Sequence, residues 1–202
     1  IVSAAADLYT RDTLYPEGKE RSIFQILTPE EIAVKTLAEY CKKDRGYTRT
    51  ALIYDKTLFS QVEPVYKAAV KEAGLDDVGI ETHDFGASDF GIQLQRLKRA
   101  RPEALFIWSL ASETGGLARQ LADLDASYVD MPTAKGPGWH PQIMGSPGGT
   151  GEKTWAENAG EAAKTGTLTP WYLGGHVFLP TYTMAKWQRQ YLGKTPTGGE
   201  EL

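Results

Sequence analysis

The residues able to do chemistry in this chain are few and widely spaced. Its three histidines, His83, His140 and His176, are far apart and form no HxxxH or similar metal-ligand spacing, so each reads as a surface or internally satisfied side chain. The single cysteine, Cys41, cannot build an internal disulfide or a cysteine-based zinc site, and its place in a helical pattern makes it a core residue. No GxSxG elbow accompanies the serines and histidines, so a Ser/His/Asp hydrolase reading would rest on fold alone. The run Gly145-Ser146-Pro147-Gly148-Gly149-Thr150-Gly151-Glu152-Lys153-Thr154 stands between an expected strand and an expected helix, where a phosphate-cradling loop belongs. It fails as a Walker motif, because Glu152 separates Gly151 from Lys153 and puts negative charge where phosphate would sit. It reads instead as a glycine-rich turn that opens towards a ligand. Ser112-Glu113-Thr114-Gly115-Gly116 offers backbone donors at the next helix start, suited to an anionic group on a small ligand. The carboxylate pairs Glu30/Glu31 and Asp76/Asp77 fall in a helix start and a turn, as solvated charge. Of Trp139, Trp155, Trp171 and Trp187, the first is the candidate for stacking on a ligand, because it sits in a long glycine- and proline-rich connection.

The elements that must position these residues alternate between strand and helix. Thr28-Pro29-Glu30-Glu31 has the form of a capping box and should open a helix carrying Ala33, Leu37, Tyr40 and Cys41 inward as far as Lys43-Asp44-Arg45-Gly46. Thr50–Tyr54 is a short apolar run of the kind buried on both faces of a parallel sheet. A helix through Val62, Val65, Tyr66, Ala69, Val70 and Ala73 should follow, closed by Gly74. The unit repeats with a strand over Val78–Phe85, a helix over Ser88–Ala100 capped by Ser88, and a buried strand over Ala104–Trp108. A helix marked by Leu117, Leu121 and Leu124 comes next, then a strand over Gln142–Gly145 and a helix over Glu152–Lys164. The pattern weakens after that, with Pro170 confining Leu168–Tyr172 to an edge strand, a last helix over Tyr182–Tyr191, and a linker at Thr195–Gly199. Such alternation predicts an α/β fold, with right-handed crossovers and a mainly parallel sheet covered on both faces.

Composition narrows the function classes. With 202 residues, 41% hydrophobic and 24% charged, the chain has a substantial core and is neither disordered nor fibrous. Lys and Arg total 22 against 26 Asp and Glu, a formal charge of -4, so no global field attracts phosphate backbones and nucleic acid is not an expected partner. No stretch approaches the ~18 apolar residues that span a bilayer, and no charged and apolar leader opens the chain, so no direct membrane insertion is expected. The chain begins at Ile1 rather than Met, and Ile1–Ala6 looks like the end of a strand entering a turn, which suggests a piece of something longer.

One series of segments carries a family resemblance. Phe24 through Thr28-Pro29 is followed by Ala51–Phe59, Asp84–Phe90, Leu94–Lys98, Pro102–Phe106 and Gly116–Gln120. In their order and spacing these resemble the solute-binding proteins of ABC transporters for branched-chain amino acids, the leucine/isoleucine/valine-binding type. The resemblance implies a type 1 periplasmic binding protein, in which two Rossmann-like three-layer α/β/α lobes are joined by crossing strands and close on a solute. On that plan residues 1–27 are an arm and crossing segment from the first lobe, 28–197 the second ligand-binding lobe and 198–202 the start of the return linker. The resemblance implies that this chain covers only part of that plan, without the first lobe's opening strands and the C-terminal return.

The resemblance also implies site residues. Ser3, Ala5, Ala6 and Asp7 lie in the segment similar to the first-lobe loop that holds a ligand carboxylate, with Asp7 standing where Thr is usual. Phe59 matches an aromatic that packs on the ligand, Leu110 or Ala111 falls where another aromatic is frequent, and the acid that pairs with a ligand ammonium is missing near Pro147. Ser109, Leu110, Trp139 and Ser146 are expected beside Phe59 on the second-lobe wall. Asp7 could take the ammonium, or the solute has none and is an amide or aromatic acid. No catalytic residue, cofactor or metal is expected. The implied partners are a small-molecule solute and an ABC transporter membrane permease, and the implied place is periplasmic or extracellular, with a lipid anchor in the full-length protein as one option. Two alternatives stand beside this reading: a ligand-sensing receptor domain of the same fold, and a doubly wound enzyme.

Overall fold

A computed structural model describes residues 2–3, 24–25, 30–124, 139, 141–146, 149, 153–160 and 162. The chain divides into two compact units, one of Ile1–Pro29 with Leu173–Leu202 and the other of Glu30–Tyr172. In the first unit, β1 (Val2–Ser3) and β2 (Phe24–Gln25) pair in parallel, with Val2 opposite Phe24 and Ser3 opposite Gln25. The expected last strand, last helix and linker, at Leu168–Tyr172, Tyr182–Tyr191 and Thr195–Gly199, lie outside the described residues.

The second unit holds α1 (Glu30–Lys43), β3 (Arg49–Asp55), α2 (Val62–Ala73), β4 (Asp76–His83), α3 (Gly91–Ala100), β5 (Ala104–Trp108), α4 (Ala111–Asp123), β6 (Gln142–Gly145) and α5 (Lys153–Ala159). Its four strands are parallel in the order β4-β3-β5-β6. The chain lays β4 on one side of β3 and then crosses to place β5 and β6 on the other, so the order reverses between β3 and β5. That reversal is where open α/β sheets leave a crevice beyond the carboxyl ends of their strands.

Period-two alternation assigns the two sheet faces. Ala51, Ile53, Leu105, Ile107 and Ile143 join Phe90, Leu94 and Leu97 from the α3 side, Leu117 and Leu121 of α4, and Trp155 of α5 in one buried cluster. Their neighbours along the strands turn to α1 and α2. Tyr66 meets Phe106 edge-on at 5.1 Å, Thr50 Oγ1 lies 2.9 Å from Tyr66 Oη, and the Trp108 indole donates to Glu30 of α1 at 3.3 Å. Burial on both faces explains why β3, β5 and β6 read in the sequence as continuous apolar runs. Cys41 is buried in α1, as its helical spacing implied.

Helix ends follow local chemistry. Gly74 closes α2 in the left-handed region (φ 69°), and the Leu75 amide reaches back to the Val70 carbonyl at 2.9 Å. The helix expected from Ser88 begins instead at Gly91. Ser88 does not cap it: its carbonyl accepts from the Gln120 side chain at 2.7 Å, while Asp89 Oδ1 takes the Gly91 amide at 2.9 Å. Phe90 thereby stays outside the helix with its ring fully in the core. The α4–α5 contact is close because Gly115 has no side chain; a Cβ there would lie 2.5 Å from the Trp155 carbonyl oxygen and 2.7 Å from Asn158 Cβ.

Candidate functional site at the carboxyl edge of the sheet

Each strand of the second unit ends in a polar residue or is followed at once by one. β3 ends in Asp55 and β4 in His83, while Ser109 and Ser146 immediately follow β5 and β6. Asp55 organises its own turn: Oδ1 accepts from the Thr57 and Leu58 amides at 2.7 and 3.2 Å, and its carbonyl accepts from the Phe59 amide at 2.9 Å. This turn holds Phe59 half-buried and Leu58 exposed at the crevice. Beyond β4, Phe85 is exposed, and beyond β5, Leu110 is exposed, so apolar side chains border three of the four strand ends.

Beneath that border the polar groups bind one another. Glu113 of α4 is buried, and its two oxygens accept from the Gly86 amide at 2.6 Å and the Leu110 amide at 3.2 Å. One carboxylate therefore ties the loop after β4 to the loop after β5. Because this helix start carries its own anion, the expectation of an anion-accepting site at Ser112–Gly116 gives way to an internal clasp. His83 Nε2 lies 2.7 Å from Ser109 Oγ and its Nδ1 3.0 Å from the Asp84 carbonyl oxygen, with the ring edge-on to Phe90 at 5.1 Å. A carbonyl can only accept, so the neutral ring carries its hydrogen on Nδ1 and Nε2 accepts from the serine hydroxyl. With His83 3% and Ser109 1% exposed, this pair is closed to any substrate carbonyl and does not act as a nucleophile and base.

The glycine-rich segment enters the same region. The Gly149 amide donates to Ser146 Oγ at 3.0 Å, and a Cβ on Gly149 would lie 2.7 Å from the Ser109 carbonyl oxygen, 2.8 Å from Ser146 Oγ and 3.0 Å from Thr114 Oγ1. Only glycine allows the backbone this close to the start of α4. On the opposite sheet face, burial pushes the Tyr54 phenol up to about 12, helped by its hydrogen bond to Glu63. Glu63 is held below the usual carboxylate range by Lys67 first and Tyr54 second.

The structure brings Phe59, Ser109, Leu110 and Ser146 to one edge, with Glu113, Thr114 and Gly149 from the two segments already read as facing a ligand, and adds Asp55 and His83, which sequence reasoning had not placed in the site. It does not bring Trp139 there. That side chain is 4% exposed in the core cluster, and its indole donates to the Pro102 carbonyl at 2.9 Å, ahead of β5 and so at the amino end of the sheet. Trp139 is a packing residue, and the expectation that it stacks on a solute is corrected. Ser3 lies in β1 of the other unit, while Ala5, Ala6 and Asp7 lie outside the described residues. Among the described residues no group of three His, Cys, Asp or Glu could hold a metal ion, and no helix is long and apolar enough to cross a membrane.

Comparison with known proteins adds three kinds of likeness. Residues 2–172 match the model of a family described as periplasmic binding protein. Leu/Ile/Val-binding protein homolog 3 of Brucella melitensis is 26% identical over 103 residues, which make up 50% of this chain and 28% of that protein. In fold, the chain is similar to a periplasmic binding protein type 1 from Bordetella pertussis Tohama I, with a TM-score of 0.63 and 21% identity over 86% of this chain and 43% of that one. It is also similar to LivJ, a branched-chain amino acid transporter substrate-binding protein of Streptococcus pneumoniae solved with isoleucine. There the TM-score is 0.58 and the identity 14%, over 86% of this chain and 46% of that one. The chain thus spans less than half the length of each of these three relatives.

Proposed function

The chain belongs to the periplasmic binding protein family, and from that premise we propose that it is part of the extracytoplasmic solute-binding component of an ABC importer. Its solute is a small polar molecule, an amino acid, amide or aromatic acid, taken into a cleft between two lobes that close by a hinge. The observation that carries this reading is the convergence of Phe59, Ser109, Leu110 and Ser146 at the carboxyl ends of β3, β5 and β6, beside the point where strand order reverses. Ser3, Ala5, Ala6 and Asp7 are the residues we assign to the facing wall. Binding needs no covalent step: the solute drives closure to the extent that it binds the closed form better than the open one. The remaining partner is a membrane permease that accepts the closed form.

The test is a thermal-shift panel on the full-length protein with amino acids, amides and aromatic carboxylates, and with NADH and ATP as controls. A solute at ~100 times its dissociation constant stabilises by about 2.7 kcal/mol. We expect one solute class to respond, and Phe59→Ala to weaken its binding about tenfold or more while the unliganded melting temperature changes little. A response to nucleotides alone would sink the proposal and restore the doubly wound enzyme.

A further inference from the structure

Folded proteins usually turn polar side chains outward and large apolar ones inward, and the carboxyl edge of this sheet does the reverse at one place. After β4 and β5 the side chains of Phe85 and Leu110 are 59% and 38% exposed, while the polar His83, Ser109 and Glu113 beside them in the chain are buried. A single exposed apolar residue is ordinary, whereas two held together are the start of a binding surface.

Hydrogen bonds hold these two together. β3 separates β4 from β5 in the sheet, yet two contacts bring the exit of β4 to the exit of β5. His83 Nε2 lies 2.7 Å from Ser109 Oγ, and the Gly86 amide donates to Glu113 Oε1 at 2.6 Å. Phe85 stands between His83 and Gly86, and Leu110 directly follows Ser109. The other oxygen of Glu113 accepts from the Leu110 amide at 3.2 Å, so both loops end on a single buried carboxylate. Phe85 is thereby drawn from an outer strand towards the point where strand order reverses, with its backbone pinned on both sides and its ring left in the open.

The charges of these two loops are engaged. Both Glu113 oxygens hold amides, Asp84 pairs with Lys56 at 3.1 Å, and Asp89 Oδ1 takes the Gly91 amide. What Phe85 and Leu110 offer is therefore hydrocarbon. We propose that these two residues, held on Glu113, form an apolar ledge that takes the hydrocarbon part of an amphipathic solute, with Phe85 as its specificity-determining residue. Glu113 is a positioning residue and touches no solute. The ledge rests on the solute-binding role proposed above and narrows it to acids, amino acids or amides with a sizeable aliphatic or aromatic body, against compact polar solutes such as glycine or urea.

The test is isothermal titration calorimetry on the full-length protein with three homologous series, straight-chain fatty acids, 2-amino acids and primary amides, together with their phenyl-substituted members. Each methylene buried is worth about a fourfold gain in affinity, so the series that binds should tighten by about that factor per step until the ledge is covered. Phe85→Ser should flatten the steps and weaken the longest member about tenfold or more, and Phe85→Leu should keep most of the dependence. Glu113→Gln retains one acceptor for two amides, so it should weaken long members more than short ones, where a merely structural role would weaken all alike. Affinity independent of chain length, or the same steps in Phe85→Ser as in the unsubstituted protein, would overturn the ledge and leave the solute-binding role standing. Silence of every series would remove both.

Discussion

Trp139 and Asp55 show how much a residue's meaning depends on which end of the sheet it reaches. Both stand near loops, and the sequence makes the tryptophan the more conspicuous, yet it donates to Pro102 at the amino end while Asp55 shapes the crevice. The direction was available in principle: a connection that precedes a parallel strand must arrive at that strand's amino end, and Trp139 comes just before β6. Asp55 and Glu113 were harder to find, because an acid at a strand end or in the first turn of a helix reads equally well as solvated charge. Only the third dimension shows Glu113 collecting amides from two different loops. We expect Trp139→Phe to lower stability by about 1–3 kcal/mol, from the lost indole hydrogen bond and the volume it leaves, and to leave solute affinity unchanged. Urea unfolding and solute titration on the same preparation check both halves; a weakened solute with unaltered stability would return Trp139 to the binding wall.

Elements buried on two faces were the most legible. β5 and β6 occupy the expected spans and β3 exceeds its span by one residue at each end, because a run so largely apolar has nowhere else to go. The start of α3 was misread, since Ser88 has the right chemistry for a cap but the helix begins three residues later, with the Gly91 amide held by Asp89 Oδ1. Gly115 and Gly116 form a pair whose difference is invisible in sequence. A Cβ on Gly115 would strike backbone of α5 at 2.5 Å, whereas one on Gly116 would meet only Phe90 Cε2 at 3.4 Å. We therefore expect Gly115→Ala to destabilise the second unit by about 1–3 kcal/mol through forced separation of α4 and α5. Gly116→Ala should be near neutral, or slightly stabilising through the better helix propensity of alanine. Equal denaturation midpoints for the two variants would contradict the close approach.

At the scale of the molecule, three neutral acids are shut into the α1–α2 side of the sheet. Burial pushes the Cys41 thiol from 9.0 up to about 12 and the Tyr54 phenol from 10.0 up to about 12, and raises Tyr66 further still. In the unfolded chain these groups ionise first, so their contribution to stability is complete below about pH 9 and is lost as pH climbs towards 12. The melting temperature should hold near pH 8 and decline steadily through pH 9 to 11. A melting temperature level across that range would show that the three are not sealed as described. Cysteine alkylation gives a second reading, with Cys41 inert in the folded protein and reactive only in denaturant.

The strand order has one more effect. β4 is one of the two outer strands of the described sheet, half-buried along most of its length, and it begins with Asp76-Asp77 and carries Glu81 bound to Arg96. A strand flanked on one side only leaves backbone groups that could template pairing with another molecule. The negative charge of Asp76-Asp77 makes a second copy of the same strand repel this end of it, so this edge has a built-in guard against edge-to-edge aggregation at high local concentration.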